Sequence, residues 1–126
     1  MDDYEAIRQL TARYNRASDE ADIEGWLRCF APDGSFERKN GRRYRGYEEL
    51  RELLDTFPVK ARHITSDFLI DIDVDTARQS CYLLFLDRER NFELNMFGTY
   101  DDKLARLDGN WVFVSRVLEV DEGSHV

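Results

Sequence analysis

The spacing of apolar residues becomes an alternating one at residues 63–86, which read HITSDFLIDIDVDTARQSCYLLFL. In the first half of this stretch, apolar residues alternate with mostly polar ones, the apolar positions being Ile64, Phe68, Ile70, Ile72 and Val74. A period of two residues predicts a half-buried β-strand. Asp75 and Thr76 indicate a turn, after which Ala77 to Leu86 predicts a second long strand. The stretch therefore predicts two antiparallel strands of a sheet.

Further strands follow this stretch along the chain. Residues Phe92 to Leu107 predict a third long strand, and the turn residues Asp108 and Gly109 lead into a fourth, from Trp111 to Val120. Short connections of this kind join antiparallel neighbours. The second half of the chain is thus expected to form a meander.

The residues before His63 have mainly helical spacing instead. Asp3 to Ser18 predicts an amphipathic helix, because apolar residues recur three and four positions apart, at Ile7, Leu10, Tyr14 and Ala17. Asp22 can cap a second, short helix, with apolar positions at Ile23, Trp26, Leu27 and Phe30. Residues 31–34, Ala-Pro-Asp-Gly, are expected to end it in a turn. A third helix is predicted from about Tyr47 to Thr56, closed by Pro58.

The one local concentration of positive charge lies between the second and third helices. Ser35 to Arg38 and Arg42 to Arg45 flank the turn signal Asn40-Gly41, and together they predict a small hairpin. Its basic residues fit a solvated hairpin, and an anion-attracting rim beside a pocket is the functional alternative. Helices first and an antiparallel meander afterwards predict an α+β fold, with the helices packed on one face of a curved sheet.

Length and composition narrow the class of protein. At 126 residues the chain is expected to be one domain, with a core from about residue 4 to 121 and a short tail that contains His125. The net charge of −8 argues against nucleic acid or anionic lipid as a partner. No apolar run is long enough to span a bilayer, and the first residues lack the layout of a signal peptide. Two cysteines beside apolar residues indicate buried reduced thiols and a cytoplasmic protein.

Several short motifs occur in a characteristic order over roughly residues 4 to 121. They are Asp19-Glu20-Ala21-Asp22, Phe30-Ala31-Pro32-Asp33, Arg62-His63-Ile64-Thr65, Phe97-Gly98-Thr99-Tyr100-Asp101 and Gly109-Asn110-Trp111. In this order they resemble the nuclear-transport-factor-2-like superfamily, and most of all its polyketide-cyclase (SnoaL-like) and scytalone-dehydratase branch. The resemblance implies a cone, in which a bent, mainly antiparallel mixed sheet wraps three helices around an apolar pocket. Members of the superfamily act as dehydratases, isomerases or cyclases, or only bind ligands.

His63 is the candidate for proton-transfer chemistry, because it is the only histidine outside the tail and imidazole titrates near neutral pH. The resemblance implies that His63 is a general base and that Asp19 orients it, since a carboxylate that accepts one ring N–H makes the other nitrogen more basic. The alternative is a surface histidine, because His63 is out of phase with Ile64, Phe68 and Ile70. A β-bulge near Ser66 and Asp67 would restore the phase.

The other site residues follow from the resemblance as well. Tyr14 corresponds to an oxyanion-stabilising tyrosine of ketosteroid isomerases, with a core aromatic as the alternative. The chain departs from that family at Glu37-Arg38, where the isomerases carry a base aspartate. It departs from scytalone dehydratases at Ser18, where they have a tyrosine, and in having no histidine on a later strand. The expected substrate-binding residues are Trp26, Phe30, Tyr82, Asn95 and Phe97, each with a plain core or surface role as the alternative.

The sequence therefore predicts a lyase, isomerase or cyclase that acts on a small apolar cyclic molecule of polyketide, steroid or terpenoid type. A non-catalytic binding or association module of the same fold is the alternative. Neither a cofactor nor a metal is expected, because phosphate loops, Cys-x-x-Cys pairs and calcium loops are missing from the sequence. Apolar residues on both faces of residues 81–86 predict a homodimer formed through the sheet.

Overall fold

The helices and strands follow the predicted order in residues 1–57 and 60–124, the part of the chain that the computed structural model describes. The helices are α1 (Asp3–Asp19), α2 (Ile23–Leu27) and α3 (Gly46–Asp55), and a 3-10 turn covers Arg88–Arg90. The strands are β1 (Phe30–Arg38), β2 (Arg43–Arg45), β3 (Ala61–Asp73), β4 (Thr76–Asp87), β5 (Glu93–Leu107) and β6 (Asn110–Val120). The predictions for Pro58, His125 and the end of the tail lie outside the described residues.

The strands form one mixed sheet in the order β2-β1-β6-β5-β4-β3. Every neighbouring pair is antiparallel except β1 and β6, which run parallel. The helices pack against the inner face, where α1 contacts β3 and β6 and α3 contacts β1. This arrangement confirms the α+β class and the cone. None of the helices in the described residues combines the length and the apolar character that a bilayer span requires.

Local sequence explains how the helices begin. The side chain of Asp2 caps α1 by accepting a hydrogen bond from the backbone N–H of Glu5 (2.8 Å). Asp22 caps α2 in the same way, accepting from the N–H of Gly25 (3.0 Å). The apolar face predicted for α1 is buried, and Thr11 and Asn15 are buried beside it.

The end of α2 differs from the prediction. The helix stops at Leu27, and Phe30 begins strand β1 instead of continuing the helical face. Residues 31–34 lie within β1, and the irregularity that Pro32 introduces shows as a register shift against β6 between Phe30 and Ser35. The predicted turn was wrong because pairing with β6, more than 70 residues away, keeps this segment extended. Gly34 fits there because a Cβ would lie 2.9 Å from the carbonyl oxygen of Phe113.

Strand β3 contains the bulge on which the orientation of His63 depends. The register against β4 shifts between Ser66 and Leu69, and Asp67 adopts a left-handed backbone conformation (φ 57°). Ala61, His63 and Thr65 face inward before the bulge, whereas Phe68, Ile70 and Ile72 face inward after it. Ile64 therefore lies on the outer face, 45% exposed, and does not share a face with Phe68 as predicted. Val74 lies in the turn after β3 and is 75% exposed.

The centre of the cone is filled by aromatic side chains around a buried ion pair. Arg116 on β6 is fully buried and donates to the Asp102 carboxylate from Nε (2.9 Å) and Nη2 (3.3 Å). The guanidinium lies 3.5 Å from the ring centre of Tyr100 and 4.4 Å from that of Tyr14. Burial alone would lower the pKa of Arg116, but the Asp102 carboxylate raises it above its usual value. The guanidinium consequently stays charged in the core.

Candidate functional site

The cavity that contains the predicted dyad lies at the rim of the cone. Its volume is about 650 Å³, and it is bounded by the connection between α1 and α2, the end of α3 and the start of β3. Apolar lining comes from Ile23, Leu54 and Phe57, and charged lining from Lys60 and Arg88 as well as from carboxylates. Phe57 and Lys60 are exposed, so the mouth of the cavity opens to solvent beside them. In the described residues, aromatic side chains pack around Arg116 at the centre of the cone, where the sequence predicts an enclosed pocket.

Asp19 and His63 contact each other directly in the wall of this cavity. The Nδ1 atom of His63 lies 2.6 Å from Oδ1 of Asp19, and the two side chains are only 8% and 9% exposed. Because an ionised carboxylate can only accept hydrogen bonds, Nδ1 carries the proton in this contact. The other ring nitrogen, Nε2, has no hydrogen-bond partner among the described residues. It is therefore the nitrogen available to a bound molecule.

The Asp19 carboxylate is held in place from several sides. Both of its oxygens accept a hydrogen bond from the backbone N–H of His63, at 3.2 and 3.1 Å. Arg62 forms an exposed ion pair with it at 3.8 Å. These contacts fix the carboxylate where α1 ends, and the dyad therefore joins the end of α1 to the start of β3.

A second hydrogen bond ties the same two elements together. The Nδ2 atom of Asn15 donates to Oγ1 of Thr65 (3.0 Å), one helical turn before Asp19 and two strand residues after His63. Asn15 is buried, and its Oδ1 atom has no partner in the described part of the chain. The two contacts run side by side, and together they set the position of α1 along β3.

One aromatic side chain packs against the imidazole, and a second packs behind it. The ring of His63 meets that of Phe85 edge to face, with 4.9 Å between their centres. Phe57 packs on the other side of Phe85, at 5.4 Å. Phe85 is the register partner of His63 on β4. The imidazole consequently has an apolar wall beside it and a carboxylate behind it.

Arg88 is a charged residue of this cavity that the sequence did not reveal. Its Nη2 atom donates to the backbone carbonyl of Asp19 (2.8 Å), and its own backbone N–H donates to the carbonyl of Lys60 (2.9 Å). The segment Asp-Arg-Glu-Arg after β4 has the composition of a solvated turn, and no local signal distinguishes one arginine from the other. The guanidinium lies beside the dyad only because the segment after β4 folds against the start of β3.

Tyr14 does not line the cavity. It is 3% exposed and packs among Trp26, Phe30, Tyr100 and Phe113, with ring centres 5.6 to 6.2 Å from its own. Burial raises the pKa of its hydroxyl, against the opposing charge of Arg116. The structure places Tyr14 in the core, where it cannot contact a molecule bound beside His63. Trp26 and Phe30 are 1% exposed and belong to the same core, not to a cavity wall.

The remaining predicted binding residues also lie away from the dyad. Tyr82 is 50% exposed and Phe97 is 41% exposed, because both point outward from the sheet between buried neighbours. Asn95 borders a different cavity, together with Phe97 and residues 121–124. Of the predicted site residues, only His63 and Asp19 line the cavity at the rim of the cone. In the described ranges, no three His, Cys, Asp or Glu side chains are grouped closely enough to hold a metal ion.

Comparison with known families and structures agrees with the fold. The model of the SnoaL-like domain matches residues 1–117, and the chain belongs to this family. No curated protein matches the chain significantly.

Three solved structures show the same fold. A protein of unknown function with a cystatin-like fold from Nostoc punctiforme PCC 73102 is 31% identical, with a TM-score of 0.89 over 97% of this chain and 93% of that one. A protein from Catenulispora acidiphila in complex with S-DNPA is 27% identical, with a TM-score of 0.83 over 94% and 92%. An NTF2-like protein from Novosphingobium aromaticivorans is 22% identical, with a TM-score of 0.87 over 97% and 84%, and it shows the fold alone.

Proposed function

We propose that this protein is a lyase, isomerase or cyclase that transfers protons to and from a small cyclic molecule bound beside His63. The observation that carries the proposal is the 2.6 Å contact between His63 Nδ1 and Asp19 Oδ1 in the wall of a cavity. A base oriented by a carboxylate, with its second nitrogen facing bound substrate, is the arrangement that general acid–base catalysis requires. The proton transfers use side chains of this chain only.

The roles of the two residues follow from their contacts. His63 Nε2 removes a proton next to a carbonyl group, or donates one to a leaving group. Asp19 keeps the Nδ1 proton in place and stabilises the imidazolium that forms when Nε2 is protonated. Because Asp19 is itself held by two backbone contacts, the imidazole needs no rearrangement before it reacts.

Arg88 takes the role that the sequence assigned to Tyr14. Proton removal next to a carbonyl places negative charge on the carbonyl oxygen, which a fixed positive group stabilises. The guanidinium is permanently charged, lines the cavity and is anchored to the Asp19 carbonyl. We therefore propose that Arg88 binds the substrate oxygen on which this charge develops.

The lining of the cavity narrows the class of substrate. Leu54, Phe57 and Ile23 offer an apolar surface for a ring, whereas Arg88 and Lys60 offer positive charge. A cyclic molecule of polyketide, steroid or terpenoid type that carries a ketone or enol oxygen satisfies both. The Catenulispora protein in complex with S-DNPA supports ligand binding by a relative of the same fold.

Hydrogen–deuterium exchange tests the proposal without knowledge of the product. A panel of cyclic ketones is incubated with the protein in D₂O, and loss of α-proton signals is followed by NMR. His63→Gln should slow the enzymatic exchange by roughly 10²- to 10⁴-fold. Asp19→Asn should slow the exchange as well. Unlike the carboxylate, the amide does not only accept hydrogen bonds, because its NH₂ group is a donor. Arg88→Gln should slow exchange more than Arg88→Lys, which keeps the charge.

His125→Ala serves as the matched control, because it removes the other histidine of the chain. Equal exchange in wild type and His63→Gln would contradict the catalytic role. Saturable ketone binding with no exchange above the rate in buffer would instead identify the non-catalytic binding module.

We also propose that the protein forms a homodimer through the outer face of the sheet. Leu69, Tyr82, Ile64 and Phe97 are 74%, 50%, 45% and 41% exposed there, which is a large apolar area for a monomer. Tyr82→Lys should weaken association, which sedimentation velocity at micromolar concentration would detect. A wild-type protein that sediments as a monomer under these conditions would contradict the dimer.

The two cysteines support a reducing compartment, and we propose a cytoplasmic location on that basis. Cys29 and Cys81 are buried and free, and neither forms a disulfide in the described residues.

A further inference from the structure

A second cavity lies on the other side of the α1–α2 connection from the dyad. Its volume is about 590 Å³, and three arginines line it. Arg13 and Arg16 lie three residues apart on α1 and therefore share one face of the helix. Arg28 directly follows α2 and also lines the cavity. We refer to this space, defined by Arg13, Arg16 and Arg28, as the arginine cavity.

The three guanidinium groups have no partner in residues 1–57 and 60–124. Neither a hydrogen bond nor an ion pair connects the side chain of Arg13, Arg16 or Arg28 to another residue there. Several other arginines on the surface are paired, as Arg51 is with Glu24 at 2.6 Å and Arg42 with Glu52 at 3.2 Å. Three unpaired arginines at one place are notable in a chain whose net charge is −8.

The carboxylates that face this cavity are Glu20 and Asp22. The Oδ1 atom of Asp22 is occupied, because it accepts the hydrogen bond from the backbone N–H of Gly25 that caps α2. Glu20 is exposed and makes no ion pair with the three arginines. Three arginines and two carboxylates give the lining a net charge of +1. The guanidinium N–H groups have no acceptor among the described residues.

The floor of the cavity is apolar. Leu10, Ala17, Cys29 and Trp111 form it, and each is at most 7% exposed. An inorganic ion would contact only the rim and leave this floor to water. A molecule with an apolar body and an anionic group would cover both.

We infer that the arginine cavity binds a small organic phosphate, with its phosphoryl group on Arg13, Arg16 and Arg28 and its apolar body on the floor. A phosphomonoester carries a charge of about −1.5 to −2 and three acceptor oxygens, which suits several guanidinium forks at once. A monocarboxylate has two oxygens and one charge, and it would leave part of the arginine set unused. The inference does not depend on the chemistry proposed for His63.

Titration of the ¹⁵N-labelled full chain with 1-naphthyl phosphate tests this inference. We expect saturable shifts of the backbone amides of Gly25, Arg28 and Asn110, which border the cavity. Inorganic phosphate should bind more weakly because it lacks the apolar body, and 1-naphthol should bind more weakly because it lacks the charge. Binding should weaken as salt is added, since the arginines are exposed.

Calorimetry on variants tests which side chains hold the phosphate. Arg13→Gln, Arg16→Gln and Arg28→Gln should each raise the Kd by about tenfold, the effect of losing one charge-assisted hydrogen bond. Glu20→Gln should lower the Kd, because it removes a negative charge from the rim. Arg43→Gln is the matched control: Arg43 is exposed on β2, does not line this cavity and makes no ion pair in the described residues.

Several results would overturn the inference. One is the absence of saturable shifts at millimolar 1-naphthyl phosphate and low ionic strength. Another is an equal loss of affinity in Arg43→Gln, which would indicate unspecific attraction to positive charge. A third is a set of shifts centred on His63 and Arg88, which would place the phosphate in the dyad cavity instead.

Discussion

Replacing Asp102 by leucine should strongly destabilise the protein, because it leaves a charged guanidinium without a partner in the core. The side chains of Asp102 and Arg116 are both 0% exposed, and two hydrogen bonds join them. Breaking a buried ion pair by removal of one partner costs about 3–5 kcal/mol. Gln79 would lose an acceptor as well, since its Nε2 atom donates to Asp102 (2.9 Å).

The size of this effect can be compared with the whole stability of the protein. Domains of this length have a free energy of unfolding of about 5–15 kcal/mol, so the loss of about 3–5 kcal/mol in Asp102→Leu should remove roughly a fifth of it or more. Urea unfolding followed by tryptophan fluorescence gives the free energy directly. We expect a midpoint shifted to lower urea with an unchanged slope. A loss below about 1 kcal/mol would refute the argument, because the guanidinium would then be hydrated in the variant at little cost.

The double variant Asp102→Leu with Arg116→Met separates charge from packing. It removes both charges, so it should regain most of the lost stability, as apolar replacements of buried ion pairs often do. A double variant as unstable as Asp102→Leu would mean that the loss came from packing. The single variant Arg116→Met is measured as well. Wild type, the two single variants and the double variant then form a thermodynamic cycle that gives the interaction free energy of the two side chains.

The single variant Arg116→Met adds a prediction of pH dependence. Burial already raises the pKa of Asp102, and the variant removes the positive charge that opposes this shift. The folded state would then bind a proton on Asp102 more tightly than the unfolded state does. Because stability falls with rising pH wherever the folded state binds more protons, Arg116→Met should be more stable near pH 4 than near pH 7, relative to wild type.

Three further predictions concern the cysteines, the α1–β3 contact and the bulge. Burial raises the pKa of Cys29 to about 11 and that of Cys81 to about 12, so labelling with a disulfide reagent at pH 8 should be slow and should accelerate on unfolding in urea. Asn15→Ala removes the 3.0 Å hydrogen bond to β3 and should cost about 1 kcal/mol in urea unfolding; a gain in stability would contradict the role of this contact. Deletion of Asp67 removes the bulge and should either turn His63 outward or disrupt the strand, and α-proton exchange should fall to the level of His63→Gln.

Much of the fold is predictable from the sequence because long strands and an amphipathic helix have strong periodic patterns. The sequence pattern is least informative where a segment fits both a helix and a strand. Phe30 continues the helical spacing of α2, yet it begins β1 because a distant strand pairs with it. Local sequence cannot reveal a partner more than 70 residues away, and the parallel β1–β6 pairing was therefore not predicted.

The face of the sheet on which a side chain lies is the second feature that the sequence does not predict. Strand β4 is apolar on both faces between residues 81 and 86, so its sequence does not tell which side is buried. Tyr82 is predicted to bind substrate, whereas the structure places it on the outer face of the sheet. Arg116 shows the opposite case. A single arginine in a strand normally indicates the solvent face, but pairing with Asp102 and stacking on Tyr100 make it part of the core.

The buried arginine also explains why the candidate site lies at the rim of the cone. Arg116 and the aromatic rings that stack on it occupy the volume that an enclosed pocket would need. The cavity that contains the dyad lies instead at the C-terminal end of α1, where Asp19 lies. A bulge in β3 turns His63 toward that end, and the connection after β4 brings Arg88 to it. The dyad is thus placed by three departures from regular structure, namely a helix end, a bulge and a turn. Arg88 could not be assigned in advance because turns of this composition are usually solvated, whereas the histidine and the aspartate were identified from their place in a motif order.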